Sequence, residues 1–68
     1  MTEEDFCRRF ITQIELLCSD GRKPFGLVPR WYAMVVASRY WRECGQDGMS
    51  PEECAIEDSA YWEDDRRP

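Results

Sequence analysis

Two short segments rich in glycine and proline divide this chain into three helix-length pieces. The first break, "DGRKPFGLVP", covers residues 20–29, and the second, "GQDGMSP", covers residues 45–51. Glycine favours the left-handed conformation that ends helices, and proline is favoured in the first helical turn, where no amide partner is needed. The chain has 68 residues, so we expect one domain over residues 1–68, built from short helices.

Apolar spacing predicts a helix in each of the first two pieces. Residues 2–19 repeat apolar side chains at steps of three and four, which marks one buried face: Phe6, Cys7, Phe10, Ile11, Ile14, Leu17 and Cys18. Residues 29–44 are apolar on two faces, one with Ala33, Val36, Ala37, Tyr40, Trp41 and Cys44, the other with Trp31, Met34 and Val35. A helix of this kind is normally packed on both sides, so we expect it to be the central one.

The third piece, residues 50–65, has the strongest helix start in the chain. Ser50, Pro51 and Glu53 supply a cap, a first-turn proline and a reciprocal carboxylate. Its apolar stripe is sparse and is interrupted by Asp58. No segment predicts a strand with comparable strength, so the sequence predicts an all-α fold. We expect a small three-helix bundle (helices about 2–19, 29–44 and 50–65), with an apolar, ordered loop over residues 20–28 that folds back over the helices.

Charge is distributed unevenly along the chain. Residues 1–42 carry seven bases and five acids, a net charge of +2, whereas residues 43–68 carry nine acids and two bases, a net charge of −7. An acidic end of this kind repels nucleic acid and anionic membranes and attracts basic partners. Carboxylates spaced along a helix can also imitate the phosphates of nucleic acid, because both bind arginine and lysine.

These features suggest a surface on the third helix that binds a protein with a basic surface. Exposed Trp and Tyr often anchor protein interfaces. Trp62 is the first candidate for such an anchor, and Trp31 on the second helix is another. The predicted partner-binding residues are Glu52, Glu53, Glu57, Asp58, Tyr61, Trp62, Glu63, Asp64, Asp65 and Trp31. Single acids on this surface have a simpler interpretation, since charged residues keep small proteins soluble.

Catalytic and metal-binding patterns are not found in the sequence. The chain has no histidine for general base chemistry, no phosphate-binding glycine loop and no nucleophile motif. Cys7, Cys18, Cys44 and Cys54 lack the close pairs that structural zinc sites use. We therefore expect no enzyme activity, no metal and no cofactor, with the cysteines acting as small buried apolar side chains.

Two other function classes remain open at this point. Seven bases of the first two helices and the loop between them could form a nucleic-acid-binding surface of a transcriptional regulator: Arg8, Arg9, Arg22, Lys23, Arg30, Arg39 and Arg42. The acidic third helix would repel phosphate in such a complex. Alternatively, the apolar second helix could join a homodimer or a larger assembly, as in a small structural subunit or assembly chaperone.

Size and charge give the chain the character of a compact acidic accessory or inhibitor protein. It resembles in type the small proteins of bacteriophages and mobile elements that block a host complex by occupying a basic surface. The acidic start of the chain does not resemble a signal peptide, and no stretch approaches about 20 apolar residues. We therefore expect a cytoplasmic protein with reduced cysteines and no membrane partner.

Overall fold

The computed structural model describes the backbone of residues 1–64 and the side chains of residues 1–62. Its three helices are α1 (Glu3–Leu17), α2 (Pro29–Glu43) and α3 (Pro51–Asp64). Single 3₁₀ turns lie between them, at Pro24–Gly26 and Gly45–Asp47. The predicted three-helix bundle is therefore confirmed, with helix bounds within two residues of those predicted, as far as the described residues extend.

The helix starts follow the capping signals in the sequence. The Thr2 hydroxyl accepts a hydrogen bond from the Asp5 amide at 3.1 Å. At the start of α3, the Glu53 amide donates to the Ser50 hydroxyl at 3.1 Å, and the Ser50 amide donates to the Glu53 carboxylate at 3.5 Å. This reciprocal pair fixes the first turn of α3, because it satisfies backbone amides that have no partner within the helix.

Helix α1, and not α2 as predicted, is the central helix. Phe6, Phe10 and Ile14 are fully buried and form the middle of the core. Helix α1 packs along both α2 and α3, whereas α2 and α3 meet mainly through long side chains that reach between them. Because α3 packs on α1 and not on the outer face of α2, that face remains exposed.

The remaining core residues are mostly small. Ala33 and Ala37 of α2 and Cys54 and Ala55 of α3 are buried against α1, and their small side chains allow the helices to approach closely. Aromatic contacts complete the packing, with Phe10 stacked on Tyr40 at a centroid distance of 5.2 Å. The result is a narrow core in which a few aromatic rings fill most of the volume.

The loop between α1 and α2 folds back onto the bundle, as predicted. Pro24 is buried, and the Phe25 ring lies 5.6 Å from the ring of Tyr32, centroid to centroid. Phe25 has a φ of 53°, a left-handed conformation that is uncommon for a bulky residue. Leu27 and Val28 are about half exposed at the end of this loop, so only part of its apolar surface reaches the core.

Among the described residues, no helix is long and apolar enough to cross a membrane.

Candidate functional site

Asp58, predicted to lie on the acidic surface, is instead buried at the junction of α2 and α3. Its carboxylate accepts hydrogen bonds from the hydroxyls of Tyr32 and Tyr40, each at 2.6 Å, and from the indole N–H of Trp62 at 3.0 Å. Only 6% of Asp58 is exposed. Three donors replace the water that burial removes from the carboxylate. The role of this acid is therefore to join the helices rather than to face a partner.

Trp62, the first candidate for a partner anchor, is also in the core. Its exposed fraction is 3%, and its ring packs edge-on against Tyr32 at a centroid distance of 6.0 Å. The guanidinium of Arg22 lies over the Trp62 ring, 5.5 Å from its centroid. Because Trp62 offers almost no free surface, it closes the bundle and is removed from the partner-binding set.

Glu52 lies on the surface but already has a partner within the protein. Arg9 of α1 donates two hydrogen bonds to its carboxylate, at 2.9 and 3.0 Å. These bonds lower the pKa of Glu52 below its ordinary value. The paired geometry joins α1 to α3, although a half-exposed ion pair of this kind contributes little to stability in water. Glu52 is thus less available to a basic partner than the sequence suggested.

The outward face of α3 retains part of the predicted acidic and aromatic surface. Glu53 and Glu57 are exposed, and Ile56 and Tyr61 flank them with more than half of their side-chain surface free. A shallow depression of about 270 Å³ is lined by Met49, Glu53, Ile56 and Glu57. Glu53, Ile56 and Glu57 are four or fewer positions apart and share one face of α3. We call Glu53, Ile56, Glu57 and Tyr61 the α3 face.

Three of the predicted acids have side chains outside the described part of the protein. Glu63 and Asp64 belong to the α3 backbone, but their side chains are outside the described part of the chain. Asp65 lies outside the described residues altogether.

Trp31 is exposed, as an anchor must be, but it belongs to α2 and not to the α3 face. Its side chain is 66% exposed. It lines an open groove of about 480 Å³ together with Leu27, Val28, Tyr32, Val35 and Val36. From the sequence, the face with Trp31, Met34 and Val35 was expected to pack inside the protein, with Trp31 also a candidate anchor and assembly with another chain as the alternative. The structure leaves this face exposed.

The bases of the first two helices are partly neutralised within the protein. Arg8 pairs with Asp5 at 2.6 Å, and Arg30 lies 3.8 Å from Glu15. Arg9 is held by Glu52, and Arg22 approaches Asp20 at 3.8 Å while donating to the Leu17 carbonyl at 3.0 Å. Arg9 thereby links α1 to α3, and Arg22 lies over the Trp62 ring of α3. Four of the seven bases thus lie near a carboxylate, which reduces the surface available to phosphate.

The cysteines are thiols, and none of the described features gives them a reactive environment. Burial raises the pKa of Cys7, Cys18 and Cys54, in the last case to about 11. Higher thiol pKa values lower the thiolate fraction, which is the reactive form. Within the described residues, no group of three His, Cys, Asp or Glu side chains could hold a metal ion.

Ionisation of the buried tyrosines is expected to weaken the fold at high pH. Burial and the hydrogen bonds to Asp58 raise the pKa of both Tyr32 and Tyr40 well above the ordinary value of about 10. Their stabilising effect is complete below pH 10, where the tyrosines of the unfolded chain are also neutral. Above pH 10 the unfolded chain ionises first, so stability falls by about 1.4 kcal/mol per pH unit for each tyrosine.

Urea unfolding between about pH 8 and 11 would measure this slope. Tyr32→Phe and Tyr40→Phe should each reduce it. Cys54 adds a loss of the same sign from about pH 9, and Cys54→Ala separates its contribution. Equal slopes in the wild type and the Tyr40→Phe variant would contradict the assignment.

Comparison with family models, curated proteins and solved structures finds no match to this chain.

Proposed function

We propose that this protein is an accessory or inhibitor module that binds another protein, and that it carries out no catalysis. The α3 face docks on a basic surface of the partner. The observation that carries this proposal is the exposure of Tyr61 at 61% and Ile56 at 53% beside the exposed carboxylates of Glu53 and Glu57. Exposed aromatic side chains are enriched among the residues that anchor protein interfaces.

The order of α3 supports this proposal. The Ser50–Glu53 cap fixes the start of the helix, and Cys54, Ala55 and Asp58 hold its inner side in the core. A surface that is already ordered loses less conformational entropy when it binds than a flexible segment does. The carboxylates and Tyr61 are thus presented in a fixed arrangement before the partner arrives.

Charge determines the kind of partner that fits this face. The net charge of −7 over residues 43–68 attracts basic surfaces over several ångströms and increases the rate of encounter. Tyr61 then supplies the apolar contact area that charge alone does not give. A nucleic-acid-binding protein is a suitable partner class, because its basic surface already binds rows of negative charge.

The test compares variants of the α3 face for binding to a partner captured from a native lysate. Tyr61→Ala should weaken binding at least tenfold, about 1.4 kcal/mol, as expected for an interfacial anchor. Glu57→Lys should weaken binding and reduce its dependence on salt. Glu53 is left intact because it caps the helix.

The matched control is Glu43→Lys, which reverses an exposed acid at the end of α2. Circular dichroism should show the same helix content in all of these proteins. Binding that survives the combined Tyr61→Ala and Glu57→Lys change would exclude the α3 face as the docking site.

A further inference from the structure

The outward face of α2 and the loop end before it form an apolar surface that the described residues leave uncovered. Leu27, Val28, Trp31, Met34 and Val35 are each at least half exposed, and Val35 reaches 76%. Most of them line the groove of about 480 Å³ described above. Monomeric proteins rarely expose connected apolar patches of this kind without a binding role. We call these five residues the α2 face.

We propose that the α2 face pairs with the same face of a second copy of this chain, in a two-fold symmetric, antiparallel dimer. The face is asymmetric along the helix axis, and this asymmetry favours a second copy as the occupant. The five apolar residues of the α2 face lie at the start of the exposed side of the helix, whereas the exposed Arg39 and Arg42 follow on the same side further along. A two-fold axis places the first half of one helix against the second half of the other.

An axis near Val35, the most exposed apolar residue of α2, brings complementary groups together. Residues at equal distances before and after Val35 then face each other, so that Arg39 lies opposite Trp31 of the other copy and Arg42 lies opposite Val28. An arginine over a tryptophan ring is a favourable cation–π contact. The aliphatic stem of Arg42 can cover apolar surface while its charged end stays in water.

Charge repulsion distinguishes this arrangement from a parallel one. In a parallel pair, Arg39 would face Arg39 of the other copy. In the antiparallel pair the two Arg39 positions are separated along the helix axis by roughly 12 Å, at 1.5 Å per residue, which exceeds the screening length of about 8 Å at physiological salt. No acidic side chain of residues 1–62 pairs with Arg39 or Arg42 within the monomer, so both are available to the second copy.

The size of the face sets the expected affinity. A standard interface buries about 800 Å² per partner, which is roughly a sixth of the 4660 Å² surface of this chain. One helix face with the adjoining loop reaches only the lower part of that range. We therefore expect a dissociation constant in the micromolar range, so that monomer and dimer exchange.

Sedimentation equilibrium of the full chain, from about 1 µM to about 1 mM, brackets such an affinity. The wild type should change from monomer to dimer within this range. Val35→Glu should weaken the dimer at least tenfold, because it places two carboxylates near the axis. Ile56→Glu, the same kind of change on the α3 face, is the matched control and should leave the dimer intact.

A charge exchange tests the register of the pair. Trp31→Arg should weaken the dimer more than Trp31→Glu does, because residue 31 then faces Arg39 of the other copy. Adding Arg39→Glu to Trp31→Arg should restore dimerisation at least in part, whereas no such rescue is expected if a different face is used. All of these positions are exposed, and circular dichroism confirms that each variant is folded.

A protein that stays monomeric up to the highest concentration would overturn the proposal. A dimer that is unaffected by Val35→Glu would overturn it as well. If the wild type is monomeric and Val35→Glu abolishes binding of a different protein, the α2 face belongs to that partner and self-pairing is excluded. These results are independent of the proposed function, because the Tyr61 and Glu57 variants leave the α2 face unchanged.

Discussion

Asp58→Ala is expected to leave most of the protein unfolded at room temperature. The change removes the acceptor shared by the Tyr32 and Tyr40 hydroxyls and the Trp62 indole, and it opens a cavity between α2 and α3. Each buried donor without a partner, here on Tyr32 and Trp62, costs about 1–3 kcal/mol. The partly buried Tyr40 and the cavity add to this, so the combined loss is about 3 kcal/mol or more. Domains of this size are usually stable by only a few kcal/mol.

Urea unfolding followed by circular dichroism measures this loss. Asp58→Asn should be much milder, since the amide oxygen can still accept from Trp62 and a tyrosine hydroxyl can turn to accept from the amide nitrogen. The matched control is Glu57→Ala, the neighbouring exposed acid, which should change stability by no more than about 0.5 kcal/mol. The assignment of Asp58 fails if its alanine variant is as stable as this control.

Gly45→Ala is the second change with a large expected effect. A Cβ atom at Gly45 would lie 2.6 Å from Cε3 of Trp41 and 2.9 Å from Cε2 of Phe6. Both rings belong to the packed interior, where their centroids are 5.5 Å apart. The added methyl group must displace at least one ring, and such overpacking typically costs about 1–3 kcal/mol.

A double-mutant cycle identifies the cause of this loss. Phe6→Leu makes room beside Gly45. The double variant should therefore lose less unfolding free energy than the sum of the losses in the two single variants. Gly48 provides the control in the same turn: its φ of 98° makes alanine strained, but no atom would touch the new Cβ. Gly48→Ala and Phe6→Leu should therefore be additive. Additive costs for Gly45→Ala would show that the rings are not responsible.

Local sequence signals were enough to predict the helices but not their order of packing. Caps such as Ser50 with Glu53, and breaks such as Gly21 and Gly48, act within a few residues, so the sequence displays them directly. Whether an apolar stripe finds a partner depends on the other helices. For that reason α2, with two apolar faces, was wrongly placed at the centre, and its outer face with Trp31 and Val35 is exposed.

At the candidate site, too, the sequence displayed signals within one helix but not the contacts between helices. Consecutive helical residues point about 100° apart, which accounts for an exposed Trp31 beside a buried Tyr32 and an exposed Tyr61 beside a buried Trp62. Asp58 was counted among the surface acids, although it lies four residues from both Cys54 and Trp62 and thus on their buried stripe. An acid in that position was a signal of a buried hydrogen-bonded group. Its donors on α2 could not be identified without the fold.

The two tyrosines that hold Asp58 also determine how α2 and α3 are aligned lengthwise. Tyr32 and Tyr40 are eight residues apart, about 12 Å along the helix axis, and their hydroxyls reach the two oxygens of one carboxylate from opposite directions along the helix. Sliding α3 by one turn, about 5.4 Å, would shorten the approach from one tyrosine while removing the other from hydrogen-bonding range. Because α2 and α3 share few backbone contacts, this carboxylate fixes the register of α3 against α2, as the Arg9–Glu52 pair does against α1.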